Sequence, residues 1–241
     1  MNFSRIKIQY ICKAINFIFL FSFYQIACQN TKNNIGKLSN NQNCDSLNAA
    51  LFHGTIFIDP DIVTPEDYST FINLSYNGRA ERIMFDRRVA DWITSTPYLF
   101  PANYDDSIQI EIQVNPEFGD LASAKLQAEK FAPVIGQLST ELRKDVQTVW
   151  IHRGNYPFGG GNNNLLIHTD YSELNYEEQG ILEETLIHEA AHTSLDAYHA
   201  ENSLWLDAQK ADCGFISSYA EEHPLREDIA ESFLPYFAIR Y

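Results

Sequence analysis

Hydrophobic and polar positions follow a strand-like rhythm in the first half of the chain. Apolar residues alternate with polar ones in three short runs, GTIFID, STFINLSY and SIQIEIQV, each bounded by Asp, Pro, Asn or Gly. This period of two predicts three β-strands. The segment RIMFDRRVADWI (82–93) has the spacing of an amphipathic helix, so a helix is predicted between the second and third strands.

The pattern changes beyond residue 120. SAKLQAEKFAPVIGQLSTELRKD (123–145) predicts two short helices interrupted by Pro133 and Gly136. QTVWIHR and NLLIHTD are predicted strands on either side of a glycine-rich loop, GNYPFGGGNNN. This loop lacks the Gly-Lys-Ser/Thr ending of a phosphate-binding loop. Two histidines on these strands, His152 and His168, are interpreted as structural or surface residues rather than ligands.

From about Tyr176 to the end, the pattern is mostly helical, with breaks near Gly214 and Pro224. Strands followed by helices predict an α+β domain rather than alternating βαβ units. Residues 46–241 are assigned to this single domain. Its N-terminal part, 46–115, is rich in predicted strands, and its second part, 116–241, carries the candidate metal ligands described below.

The N-terminus has the layout of an export signal. Residues 1–13 are basic, and they lead into the apolar run AINFIFLFSFYQIAC, which is shorter than the roughly 18–20 residues of a spanning helix. Residues 1–28 are therefore predicted to be a signal peptide, with a retained membrane anchor as the alternative, and residues 29–45 a flexible linker. The protein is expected to be secreted or at the cell surface. Ala27-Cys28 is also a candidate lipoprotein cleavage site, which would place a lipid anchor on Cys28.

Export would expose the remaining cysteines to an oxidising compartment. Cys12 belongs to the signal, so Cys44 and Cys213 are predicted to form a disulfide, with pairing of Cys28 and Cys44 as the alternative. No cysteine spacing in the sequence matches a zinc knuckle or a CxxC redox pair.

The chain is strongly acidic, with a formal net charge of −15. Loss of residues 1–28 removes three basic residues and no acidic one, which takes the charge to −18. Such a surface repels phosphate backbones, and the sequence has no basic stripe with interleaved aromatic residues, so nucleic acid is excluded as a partner. The acidity is interpreted as a solubility feature.

The strongest chemical signal is HEAAH, residues 188–192, within an amphipathic helical pattern. A spacing of four places His188 and His192 on one helix face, where both can bind one Zn²⁺ at about 2.0–2.1 Å. Glu189 lies between them as a candidate general base. The competing interpretation is a helix with two histidines that serve structure alone.

Zinc at a catalytic site needs a third protein ligand. His199 lies seven residues beyond His192, roughly 10 Å further along a continuous helix, so it is interpreted as a bystander. Asp196 is one turn beyond His192 and is interpreted as an orienter or a surface acid. Glu227 and Glu231, four apart on a predicted helix, are better candidates. One would bind the metal and the other would hold a ligand histidine.

HEAAH is followed by SYAEEHPLREDIAESF, whose Glu227 lies 35 residues beyond His192, and this combination resembles the metallopeptidases whose third zinc ligand is a glutamate (gluzincins). Within these, the chain is most similar to the anthrax lethal factor-like group. The resemblance covers roughly 182–233. It implies a zincin-like fold, in which a mixed β-sheet packs on the active-site helix and the C-terminal half is helical.

The resemblance also implies roles for individual residues. His188, His192 and Glu227 would bind one catalytic Zn²⁺, and Glu189 would be the base. Tyr219 would donate to the oxyanion, with His223 as the alternative donor, and Glu231 would support a ligand.

The implied function is a secreted zinc endopeptidase that hydrolyses peptide or protein substrates, with NLLIHTD as the strand that pairs with the substrate backbone. The alternatives are an exported, non-catalytic zinc-binding adhesion or interaction module, and a zinc hydrolase of non-peptide bonds.

Overall fold

The computed structural model describes residues 49–55 and 60–240. The predicted signal peptide and linker, together with Cys28 and Cys44, lie outside the described residues. So does most of the predicted strand GTIFID.

Six strands form one mixed sheet in the order β1-β4-β5-β6-β8-β7, and β2 and β3 form a separate hairpin. The strands are β1 (Phe71–Leu74), β2 (Arg82–Asp86), β3 (Asp91–Ser95), β4 (Tyr98–Tyr104), β5 (Gln109–Val114), β6 (Thr148–His152), β7 (Gly159–Gly161) and β8 (Asn164–His168). Strands β5, β6 and β8 run parallel to one another, whereas β1, β4 and β7 join by antiparallel pairing. The sheet therefore joins segments from both halves of the chain.

Most of the α-helices follow β6 in the sequence. They are α1 (Leu121–Ile135), α2 (Thr140–Arg143), α3 (Thr169–Tyr171), α4 (Leu182–Ala191), α5 (Ala197–His199), α6 (Ser203–Asp212), α7 (Ser218–Glu222) and α8 (Asp228–Arg240). Two π-helical turns, Ser172–Glu177 and His192–Asp196, lie before and after α4. A mixed sheet with helices concentrated in the C-terminal half confirms the predicted α+β class.

One face of the sheet meets helices α1 and α4 in the main core. Alternate residues of the parallel strands point to this side, and Ile112, Ile151 and Ile167 are fully buried there. This burial stabilises the contact between the sheet and α4 by the hydrophobic effect, about 25 cal/mol for each Å² of apolar surface removed from water. The core therefore fixes the height of α4 above the sheet.

The helix predicted for RIMFDRRVADWI is wrong, because this segment is the β2–β3 hairpin. Its side chains cover the other face of the sheet, where Met84 is packed with Trp150 and Leu166. The turn between the strands is held by Arg88, whose side chain and backbone N–H both donate to the Asp86 carboxylate. Ala90 adopts a positive φ of 52° at the end of the turn.

Two breaks predicted in the middle of the chain differ in outcome. Pro133 lies inside α1, close to its C-terminal end, and does not interrupt it. Gly136 does end the helix and approaches β1 closely: a Cβ there would lie 2.8 Å from the backbone nitrogen of Phe71. Strand β4 contains Pro101 and was not predicted.

NLLIHTD, the strand expected to pair with the substrate backbone, does not lie at the sheet edge, as that role requires. This segment is β8, which is paired on both sides, with β6 and with β7. The edge is β7, which forms from the glycines of the predicted loop. Within the described residues, the sheet ends at this short strand.

The segment 49–55 packs beside α7. Phe52 forms a parallel bridge with Ser217, and the backbone N–H of Gly54 donates to the Ser218 hydroxyl at 2.8 Å. Cys213, shortly before α7, is disulfide-bonded. The other cysteines lie outside the described residues, so pairing with Cys44 remains a prediction. Across 49–55 and 60–240, no helix is both long enough and apolar enough to cross a membrane.

Candidate metal centre

Two segments bring three buried side chains together. Helix α4 and its continuation carry His188 and His192, one turn apart, and the turn before α8 carries Glu227. Glu227 therefore precedes its helix rather than lying within it. Its carbonyl still accepts a helical hydrogen bond from the Glu231 N–H at 2.9 Å, which preserves the one-turn relationship between the two glutamates.

The three side chains point their ligand atoms at one another. His188 Nε2 lies 3.1 Å from His192 Nε2, and His192 Nε2 lies 3.1 Å from Glu227 Oε2. The remaining side of the triangle, from His188 Nε2 to Glu227 Oε2, measures 3.6 Å. Tetrahedral zinc with bonds of 2.0–2.2 Å separates its ligand atoms by about 3.3–3.6 Å. The sides of the triangle lie within about 0.2 Å of this range, so the triangle is close to the size that one such ion requires.

A carboxylate lies behind each imidazole, and the one behind His192 is hydrogen-bonded to the ring. Asp196 Oδ2 lies 2.7 Å from His192 Nδ1, so the ring N–H donates to this carboxylate and Nε2 is directed to the centre of the cluster. Glu231 Oε1 lies 3.6 Å from His188 Nδ1, and the Thr55 hydroxyl donates to the same Glu231 oxygen. This arrangement, ligand histidine backed by a carboxylate, is typical of zinc sites.

The electrostatics of the cluster favour positive charge at its centre. Burial alone would lower the pKa of His192, but hydrogen bonds to the Asp196 and Glu227 carboxylates outweigh it and raise the pKa to about 10. Burial likewise opposes ionisation of Glu227, yet hydrogen bonds with His188 and His192 hold its pKa well below the usual range. The cluster is therefore suited to a cation.

Glu189 is only half-buried, whereas its neighbours along α4 are buried. Its charge acts on the ring of His192 and on the hydroxyls of Tyr176 and Tyr219. Its backbone carbonyl is covered by the edge strand: a Cβ at Gly160 would overlap the Glu189 oxygen and lie 2.7 Å from its carbonyl carbon. Glycine is thus required for β7 to lie against α4 at this point.

Thr193 ties the same strand to the helix. Its hydroxyl accepts from the Gly161 N–H at 2.9 Å and donates to the Asn164 carbonyl at 2.8 Å. Both ends of the β7–β8 turn are therefore fixed to the residue that follows His192.

Tyr219, on α7, lies beside Glu227. Burial and the neighbouring Glu227 carboxylate, which accepts a hydrogen bond from the Tyr219 hydroxyl, raise the pKa of Tyr219. The phenol therefore stays protonated at neutral pH and remains a donor. His223, the alternative donor, is exposed and packs edge-on against the Tyr219 ring at 5.1 Å between centroids.

The remaining histidines considered in the sequence are elsewhere. His199 lines a different cavity, of about 410 Å³, beside Leu142 and Phe233. His152 and His168 are fully buried on the hairpin face of the sheet, where their rings stack 5.5 Å apart. Within the described part of the chain, the one cluster with metal-ligand geometry consists of His188, His192 and Glu227.

Sequence reasoning missed two contributors, Thr55 and Gly160. Thr55 lies 176 positions from Glu231, so no local pattern connects them. The importance of Gly160 depends on the approach of β7 to α4, and three consecutive glycines without polar motif residues carry no such signal. The sequence is compatible with Asp196 as an orienter or as a surface acid, and its contact with His192 favours the orienter.

The donor set restricts the ions that fit. Two imidazoles and one carboxylate suit zinc and other first-row transition metals, whereas calcium and magnesium prefer all-oxygen sites. Three protein ligands leave a further coordination position, as in catalytic rather than structural zinc sites. Comparison of the chain with protein-family models, curated proteins and solved structures finds no match.

Proposed function

We propose that this chain is a zinc-dependent endopeptidase with a zincin-like domain. The observation that carries the proposal is the triangle of His188 Nε2, His192 Nε2 and Glu227 Oε2, with sides of 3.1, 3.1 and 3.6 Å, and with Glu189 beside it on the same helix. Zinc bound to these atoms would polarise a substrate carbonyl and make water a better nucleophile.

The protein side chains would handle the protons. Glu189 accepts a proton from the attacking water and delivers it to the leaving nitrogen of the peptide bond. The Tyr219 hydroxyl donates to the oxygen that becomes negatively charged as water adds to the carbonyl. Asp196 and Glu231 keep the two imidazoles in the orientation that zinc requires.

The edge strand β7 offers a place for the substrate backbone. A peptide in extended conformation can add to an open sheet edge through main-chain hydrogen bonds. Since β7 lies directly on α4 at Gly160, a peptide along this edge would pass close to Glu189. This geometry supports cleavage at internal peptide bonds, because main-chain pairing with β7 does not require a free peptide terminus.

Glu189 also separates this proposal from its alternatives. A zinc-binding adhesion or interaction module needs ligands but no proton acceptor beside the metal. Hydrolysis of a non-peptide bond would use the same centre, and the preference for peptides rests on the strand edge and on the gluzincin resemblance. Export, from the predicted signal at 1–28, is part of the proposal, and a lipid anchor at Cys28 is an alternative form of it.

Metal analysis of the purified protein tests the ligands. We expect about one zinc per chain in the wild type and a large loss in Glu227→Ala. The matched control is His199→Ala, which removes a histidine close in sequence but outside the cluster, and should retain zinc. Equal zinc content in both variants, or a wild type that binds no transition metal, would contradict the ligand set.

Digestion of a peptide library tests the reaction. We expect internal cleavage by the wild type, abolished by a chelator and restored by zinc. Glu189→Gln should keep its zinc and lose cleavage by several orders of magnitude. Undiminished cleavage in Glu189→Gln would remove Glu189 from the mechanism.

A further inference from the structure

Arg87 has a guanidinium without a carboxylate partner among the described residues. It lies in the turn of the β2–β3 hairpin and is half-buried. Within the described residues, its side chain forms no hydrogen bond or ion pair. Its neighbour Arg88 pairs with Asp86 and Glu117, and Arg226, on the other side of the cluster, pairs with Glu227 at 3.2 Å.

The Arg87 guanidinium lies against the edge strand. A Cβ at Gly159 would be 2.6 Å from Arg87 Nη2 and 3.4 Å from its Cζ, so the missing side chain of glycine makes the space that the guanidinium occupies. Gly159 and Gly160 point to opposite faces of the sheet, as successive strand residues do. Gly160 meets the helix that carries Glu189, and Gly159 meets Arg87.

Arg87 is also electrostatically connected to the candidate active site. Burial is the main cause that raises the pKa of Tyr176; the negative charge of Glu189 raises it further, and the positive charge of Arg87 lowers it. The Tyr176 hydroxyl therefore lies close enough to Glu189 and to Arg87 for both charges to affect it. Arg87 accordingly lies near the end of β7 that follows Phe158.

An extended peptide along β7 would present its side chains alternately to the two faces of the sheet. Those on the hairpin face pass the Arg87 guanidinium. The candidate metal cluster lies on the opposite, α4 face and carries Glu189, Asp196, Glu227 and Glu231, in a chain of net charge −15, so a carboxylate of the peptide is disfavoured on that face. On the hairpin face, Arg87 is placed to receive such a carboxylate with a charge-assisted hydrogen bond.

We infer that Arg87 is a specificity residue that selects substrates with an acidic side chain, Asp or Glu, on the side of the peptide facing the hairpin. This inference rests on the proposed function for its substrate, but its recognition step requires peptide binding alone. Arg88 supports it by holding the turn through Asp86, which fixes the backbone from which Arg87 extends.

The first test is cleavage of a randomised peptide library by the wild type and by Arg87→Gln. We expect the wild type to favour Asp and Glu at one position near the cleaved bond, and Arg87→Gln to lose about 10- to 100-fold in kcat/KM for those peptides, with little change for neutral ones. Arg87→Glu should move the preference to Lys and Arg. Arg79→Gln, which removes an exposed arginine bound to the Thr96 carbonyl, is the control and should retain the acidic preference.

The second test uses binding, so that failure of catalysis does not decide it. Dye-labelled octapeptides of Ala and Leu, with one Glu or one Gln moved through each position, are titrated into Glu189→Gln with and without Arg87→Gln. Tighter binding of a Glu peptide that disappears with Arg87 supports the inference even if the wild type cleaves nothing. If the wild type cleaves peptides without an Arg87-dependent preference for acidic residues, the inference about Arg87 is overturned and the proposed function stands. If no peptide is cleaved and no Glu peptide binds more tightly than its Gln counterpart, both proposals are overturned.

Discussion

Asp196 Oδ2 lies 2.7 Å from Nδ1 of His192, one helical turn away on the π-helical continuation of α4. This contact sets both the tautomer and the rotation of the imidazole, because the ring N–H must face the carboxylate and Nε2 must then face the cluster. A residue that does not touch the metal position thus determines how one of its ligands is presented.

The Asp196→Asn variant tests this support. The amide carries no charge and is a weaker acceptor for the ring N–H, so we expect zinc affinity to fall about 10- to 100-fold. Competition with a chelating dye measures the affinity. Asp207→Asn, at an exposed position on α6, is the control, and an unchanged affinity in Asp196→Asn would show that the carboxylate is not needed.

Tyr219→Phe separates catalysis from metal binding. The hydroxyl is expected to act on the oxyanion, so its removal should lower kcat by about 100-fold, while the zinc content remains that of the wild type. Kinetics and metal analysis on the same samples give both values. Tyr198→Phe removes an exposed tyrosine hydroxyl near His199 and should leave kcat unchanged. A parallel loss of zinc in Tyr219→Phe would indicate a structural role instead.

Glu184 predicts a pH dependence of stability away from the metal centre. Burial raises the pKa of this fully buried carboxyl to about 7, although the Val63 N–H donates to it at 3.1 Å. Below pH 4.5 the group is protonated in both the folded and the unfolded state. Between pH 4.5 and about 7 it ionises only in the unfolded chain, so stability falls, and above that range the loss is complete.

Glu184→Gln should remove this dependence. The free energy of unfolding of the variant, relative to the wild type, is expected to rise by on the order of 3 kcal/mol between pH 4 and pH 8. Urea denaturation at both pH values measures the difference. Glu66→Gln, at an exposed position, should show no such change, and a constant difference for Glu184→Gln would contradict the raised pKa.

Gly160→Ala should destabilise the protein more than Gly159→Ala. The first Cβ meets the backbone of Glu189, which cannot move without displacing α4, and overpacking of this kind costs about 1–3 kcal/mol. The second meets the end of the flexible Arg87 side chain, which can shift. Thermal unfolding of both variants gives the comparison. Equal melting temperatures would mean that β7 shifts at residue 160 and accommodates the added Cβ.

The parts predicted from sequence are those with local causes. Four-residue spacing on a helix places His188 and His192 together whatever surrounds them. The alternation in SIQIEIQV likewise predicts β5, because a strand with one face in the core must alternate.

The parts that sequence reasoning missed depend on distant partners. The apolar residues of RIMFDRRVADWI fit a helix or a hairpin, and Met84 faces inward as a strand residue because Trp150 and Leu166 lie beneath it. Strand β7 has no hydrophobic signal, since glycine carries no side chain, and it exists through its pairing with β8. Glu231 meets Thr55 across most of the chain, a contact that periodicity cannot reveal.

The contact at Gly160 and the hydrogen bonds of Thr193 have a mechanical consequence. They join the edge strand to α4, through the backbone contact at Gly160 and through the Thr193 hydroxyl, so these two walls of the cleft move together. Any widening to admit a bulky substrate must come from α7 on the opposing wall, because movement of the turn that carries Glu227 would separate this ligand from His188 and His192. Helix α7 is held in place by the segment 49–55, so a part of the chain that is distant in sequence from the HEAAH helix would govern how far the cleft can open.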